Sequence, residues 1–238
     1  MNGNDFYKVH NWYPELAGYA LLTSFVKLRP EEITALAEGI TKGPEVAGAV
    51  KRLKQCMANI SGSSFVSADV CSPTDTERFA AKHGAVHSAR SAWRFLAKSE
   101  KVQHAAASGE FEYLVVRPYR RMNQTREFRL FIRDGELKGM SQYWLIRHFR
   151  RLEGIKEKLW QRAEKFFDEI SWCLPEQDLV MDIYITSDDQ VILVDINKWG
   201  GSTDPLLFRK WDRDWSETAG IVLMPSPTKI FGNVNVSF

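Results

Sequence analysis

Val180-Met181-Asp182-Ile183-Tyr184-Ile185-Thr186-Ser187-Asp188-Asp189-Gln190-Val191-Ile192-Leu193-Val194-Asp195-Ile196-Asn197 is the stretch that decides the fold. β-Branched and aromatic residues fill both flanks, and Ser187-Asp188-Asp189-Gln190 has turn composition, so the stretch reads as a β-hairpin. With an even number of loop residues, Asp182 lies directly opposite Asp195, and alternation puts both carboxylates and Asn197 on one face. The other face then carries Met181, Ile183, Ile185, Ile192, Val194 and Ile196, as a sheet packed beneath helices requires. Facing like charges destabilise a hairpin. A cation should therefore neutralise the pair, and two carboxylates with one amide oxygen make a hard oxygen set suited to Mg²⁺ or Mn²⁺. Either aspartate alone reads more readily as solubilising charge on an edge strand, and the pairing brings the metal reading level with that one.

Outward from this hairpin the same patterns recur. A long helix is predicted from about Arg151 to Ile170. Before it, Arg126–Arg133 and Glu136–Tyr143 flank Asp134-Gly135, a strong short-range hairpin signal. In its first strand Glu127, Arg129 and Phe131 take one face, and Phe128, Leu130 and Ile132 the other. Phe111–Pro118 reads as a strand closed by proline, Phe65–Ala68 and Thr23–Arg29 as shorter strands, and Thr76–Ser99 as mainly helical. Amphipathic helices are expected after Pro30 and from about Glu45 to Ile60. The order predicts an α+β chain on a mainly antiparallel sheet. Its approximate subdomains are 1–110 and 111–238, with a Ser/Gly break at Ser61-Gly62-Ser63-Ser64 as a plausible joint.

Composition removes several function classes. A formal charge of +2 from 32 basic and 30 acidic residues creates no global field for nucleic acid or membrane. No run is long and apolar enough to span a bilayer, and Met1-Asn2-Gly3-Asn4-Asp5 has neither a basic start nor a signal core, so a cytoplasmic protein is expected. Cys56, Cys71 and Cys173 lack zinc or disulfide spacing. No G-x-G-x-x-G, Walker, H-E-x-x-H or G-x-S-x-G motif occurs. Any nucleotide must then be held by side chains and strand backbones, and no catalytic residue can be named.

The cations fall into three groups. Arg129 has the fork geometry for a phosphate, or for a salt bridge to Glu127 or Asp182. Arg117 and Arg120-Arg121 follow a strand beside the carboxylate pair, where a polyphosphate could bridge them, or where they are simply solvated. Arg147-His148-Phe149-Arg150-Arg151 could touch RNA or an acidic protein surface, but reads more readily as a helix flank in solvent.

With EFRLFIRDGELKGMSQY, VMDIYI, VILVDIN and TDPLLF in this order, the chain resembles the cell division cycle 123 family, an atypical branch of the ATP-grasp superfamily. The resemblance runs from Trp12-Tyr13-Pro14, through Cys71-Ser72-Pro73-Thr74-Asp75, to Phe208 and Trp211. It implies an ATP-grasp-like fold in which two α+β subdomains clamp ATP. By the same resemblance Asp182, Asp195 and Asn197 match the magnesium ligands, Arg129 lies near the phosphates, and Val116 and Arg117 line the nucleotide cleft. Eukaryotic members are assembly chaperones of translation initiation factor 2 that bind its gamma subunit, so a protein partner is expected and nucleic acid is not. The wider superfamily implies an alternative, an ATP-dependent carboxylate-amine ligase. A nucleotide-free scaffold is a third reading. It draws on two departures: Ser67 stands where the family has a phosphate-binding lysine, and Tyr143 where it has an arginine. Arg117, Lys138 and Lys198 are candidate substitutes. The length implies a short homologue of bacterial or viral type.

Overall fold

The computed structural model describes residues 6–227. Met1–Asp5, read above as free of a targeting signal, and residues 228–238 of the expected second subdomain lie outside the described residues. The chain runs α1 (Val9–Leu16), β1 (Ser24–Lys27), α2 (Pro30–Ala37), α3 (Pro44–Met57), β2 (Ser64–Ala68), α4 (Glu77–Lys82), α5 (Ala89–Ala97), α6 (Glu100–Ala107) and β3 (Tyr113–Pro118). It continues through β4 (Glu127–Arg133), β5 (Glu136–Gln142), α7 (Arg150–Glu153), α8 (Lys156–Ile170), β6 (Leu179–Ile185), β7 (Val191–Lys198) and β8 (Gly220–Val222). Among the described residues two sheets result, ordered β1-β3-β2 and β7-β6-β4-β5-β8, and of their strand pairs only β5–β8 is parallel. The α+β, mainly antiparallel architecture matches the sequence reading.

Each sheet has its own core. Leu114 and Val116 of β3 pack with Val26, Leu36, Leu53, Val66, Trp93 and Leu96 beneath α2, α3, α5 and α6. Phe128, Leu130 and Ile132 of β4 pack with Met181, Ile183 and the α8 residues Leu159, Ala163, Phe166 and Ile170. The faces expected for β4 are therefore the faces observed.

β3, which lies beyond residue 110, is the central strand of the first sheet. α1 is first in sequence yet packs Val9, Trp12 and Leu16 into the second core. Ser61–Ser64 leads from α3 into β2. The helical reading of 76–99 breaks because His83 and Gly84 turn left-handed, with φ of 48° and 79°, before Ser88 caps α5.

On the face of the second sheet away from α8, an aromatic roof forms. Phe131, Val180, Phe208 and Trp215 are buried there, with Trp199 and Trp211 packed against them. Gly139 admits Phe208: a Cβ built on Gly139 would lie 2.6 Å from the Phe208 ring. Gly139→Ala is therefore expected to destabilise the chain by about 1–3 kcal/mol, read as a lower urea midpoint at unchanged slope.

Candidate functional site

The β6–β7 hairpin brings its aspartates together by a route the sequence hid. Its loop, Thr186–Gln190, has an odd number of residues, and Ile183 pairs with Leu193. Continued without interruption, that register would set Asp182 against Val194. A β-bulge after Asp182 absorbs one extra residue, so Asp182 does face Asp195. The bulge also changes the inward residues. Val191, Leu193 and Ile196 pack on the core, in place of the expected Ile192, Val194 and Ile196.

Across the sheet, Ser141, Arg129, Asp182 and Asp195 then stand abreast on β5, β4, β6 and β7. Arg129 is buried and donates Nε and Nη2 to the two oxygens of Asp182, at 2.7 and 2.8 Å, in a bidentate pair. Its Nη1 donates to the Asp204 carbonyl at 2.8 Å, and its guanidinium lies 5.2 Å from the Tyr143 ring centre. Burial opposes the Arg129 charge, but the Asp182 carboxylate outweighs it and keeps the guanidinium protonated beyond its usual range. Asn197 Nδ2 donates to Asp182 at 3.3 Å.

Asp195 is less well compensated. Its Oδ1 accepts from the Ile196 amide at 3.0 Å. Burial, reinforced by the facing Asp182, pushes its carboxyl up to about 7, against the pull of Arg117 and Arg129. Arg117 reaches over from the first sheet. Its Nε donates to Thr23 Oγ1 at 3.0 Å and its Nη1 to the Val194 carbonyl at 3.1 Å, at the bulge. Arg117 is 8% exposed, and its Nη2 is buried without a hydrogen-bond partner among the described residues. The site thus lies where the two sheets meet, with an unspent donor beside an under-neutralised acid.

The remaining expected residues divide. Val116 is wholly buried in the first core, so its side chain does not line this junction. Lys138 does not substitute for a missing phosphate cation: its ammonium is held by Glu136 at 2.5 Å and the Ser216 carbonyl at 3.3 Å. Lys198 is exposed, 5.8 Å from the Tyr7 ring centre. Arg120 stacks on Tyr184. Glu127 and Tyr143 were not assigned to the site, although Glu127 shares the alternation that marked Arg129. Burial pushes Glu127 up to about 7, with the Trp144 indole lowering it and Asp182 raising it.

Among the described residues no three His, Cys, Asp or Glu side chains converge as metal ligands. The donor set in question is two carboxylates and an amide. Asn197 turns its nitrogen to Asp182, and among the described residues its oxygen and one oxygen of Asp195 accept no hydrogen bond. Such a surplus of hard acceptors fits a divalent cation.

These shifts predict a pH dependence for the ligand-free chain. Asp195 and Glu127 bind protons more tightly folded than unfolded, so the stability tied to those protons is present near pH 4 and is lost as pH rises through about 7. Thermal unfolding followed between pH 5 and 8 should show that loss, and Glu127→Gln should flatten part of it.

The model of the D123 family matches residues 49–219, well over half of the chain. The chain belongs to the D123 family. Two curated relatives carry the name translation initiation factor eIF2 assembly protein. The one from Aspergillus fumigatus is 42% identical over 98 residues, covering 40% of this chain and 23% of that protein. The one from Dictyostelium discoideum is 36% identical over 100 residues, covering 42% and 26%. The matched segment thus spans about a quarter of the length of these relatives. The structure of Cdc123 from Schizosaccharomyces pombe superposes with a TM-score of 0.82 at 18% identity, over 95% of this chain and 98% of that one. That likeness bears out the fold expected from the sequence. Among the described residues, no helix of this D123 chain is long and apolar enough to cross a membrane.

Proposed function

We propose that this D123-family chain binds Mg-ATP at the junction of its two sheets and uses the nucleotide to control binding of a protein partner during assembly of translation initiation factor 2, in the cytoplasm. One observation carries the reading: the Arg129–Asp182–Asp195 row meets Arg117 from the other sheet, whose buried Nη2 has no hydrogen-bond partner among the described residues. Acids that could hold a cation and guanidinium groups that could hold phosphate therefore occupy one place. Asp182, Asp195 and Asn197 would hold Mg²⁺, which would neutralise charge on the bound phosphates. Arg129 keeps unused N–H groups for phosphate while still paired to Asp182. Arg117 donates its free N–H from the opposite wall, tying phosphate binding to the relative position of the sheets. The names of the relatives support the choice of partner. Mixing the chain with purified initiation factor 2 subunits, with and without Mg-ATP, tests it. Binding that Mg-ATP strengthens is expected, and no binding under either condition would overturn the partner.

A further inference from the structure

The loop that follows β5 is fixed in place, yet holds two aliphatic side chains in water. Gln142 is 1% exposed and donates its Nε2 to the carbonyls of Trp144 and Arg147, at 2.6 and 3.2 Å, so both sides of the turn hang on one buried amide. His148 Nδ1 lies 2.8 Å from the Met224 carbonyl and secures the exit. At the tip Leu145 is 40% exposed and Ile146 57% exposed. A slack loop could fold such side chains inward, whereas a pinned one keeps them out, an arrangement associated with contact surfaces. Positive charge surrounds them. Arg147 lies over Phe149 at 5.0 Å, and Arg150 is exposed with no hydrogen bond or ion pair among the described residues.

We propose that the loop from Trp144 to Arg150 is a docking site for an acidic protein segment anchored by a large apolar side chain. Charge complementarity selects an acidic occupant, and the aliphatic tip selects an apolar anchor. Single-stranded RNA fits less well, because it needs exposed aromatic faces, whereas Phe149 is covered by Arg147 and Trp144 is half-buried. A second copy would set like charges against each other across a two-fold contact. The inference uses only the geometry and charge of this loop, so it stands or falls separately from the nucleotide reading.

Selection of displayed random peptides against the full chain tests it, with Ile146→Ser/Arg150→Glu and Leu145→Ser as comparison targets. These residues are exposed, and circular dichroism confirms that each variant folds. Enriched peptides should place Asp or Glu beside Leu, Ile, Phe or Trp. Their affinity, read by fluorescence anisotropy, should fall about tenfold or more in the double variant and weaken with added salt. Enrichment of peptides without acidic residues, or equal binding by the variants, would overturn the proposal. So would loop-dependent binding of polyadenylate RNA, or loop-dependent dimers in sedimentation.

Discussion

Arg129→Met is expected to lower the stability of the ligand-free chain by about 3–5 kcal/mol, measured by urea unfolding near neutral pH. The size follows from what the guanidinium leaves behind. Asp182 is buried, receives both arms of Arg129, and faces a second aspartate on β7. Methionine roughly preserves the volume, so the cost isolates two carboxylates with no cation on β4 between them and solvent. Arg129→Lys should recover only part of the loss, because an ammonium cannot reach both oxygens and the Asp204 carbonyl at once. A loss below about 1 kcal/mol for Arg129→Met, the range of an exposed pair, would show that Asp182 is better solvated than its burial implies.

Asp195→Asn is expected to act in the opposite direction on stability. Its carboxyl is pushed up to about 7, so above that pH the folded chain carries a charge that burial and Asp182 both disfavour. Asparagine keeps the shape and removes the charge. A gain of about 1–2 kcal/mol at pH 8 is expected for the ligand-free chain, less than the full shift implies because the residue is partly exposed. At pH 5 the gain should shrink, since Asp195 is then mostly protonated. Such a gain would mark Asp195 as a residue that folding of the ligand-free chain does not require. On the proposed reading, a divalent cation would convert this liability into a binding contribution.

Much of this site could be read from the sequence, and the parts that could not share a physical cause. Asp182 faces Asp195 as expected only because a bulge makes up for a loop of odd length. In the β4–β5 hairpin Asp134-Gly135, with φ of 54° and 73°, made the turn and the pairs beside it legible, whereas a register shift resets the pairing from Phe131 onward. The bulge at Val194 was not legible. It involves a carbonyl accepting from Arg117, which is distant in sequence and lies in another sheet. The same remoteness hid the pairing of β3 with β1 and β2, and hid α1 within the second core. Alternation put Val116 and Arg117 on opposite faces. A resemblance that marks a segment as cleft-lining does not distinguish between them, and only Arg117 turns toward the site. Trp199, Trp211 and Trp215 lie outside the helices and strands, so no strand or helix pattern marked the roof they build over Phe131 and Phe208.

Isothermal titration of the full chain with Mg-ATP, beside Asp195→Ala and a titration of ATP in excess chelator, tests the central claim most directly. Saturable binding by the unaltered chain is predicted, weakened on the order of 100-fold in Asp195→Ala and comparably without the metal. No heat at millimolar Mg-ATP, or the same affinity in Asp195→Ala, would contradict a nucleotide and metal site at the junction of the sheets.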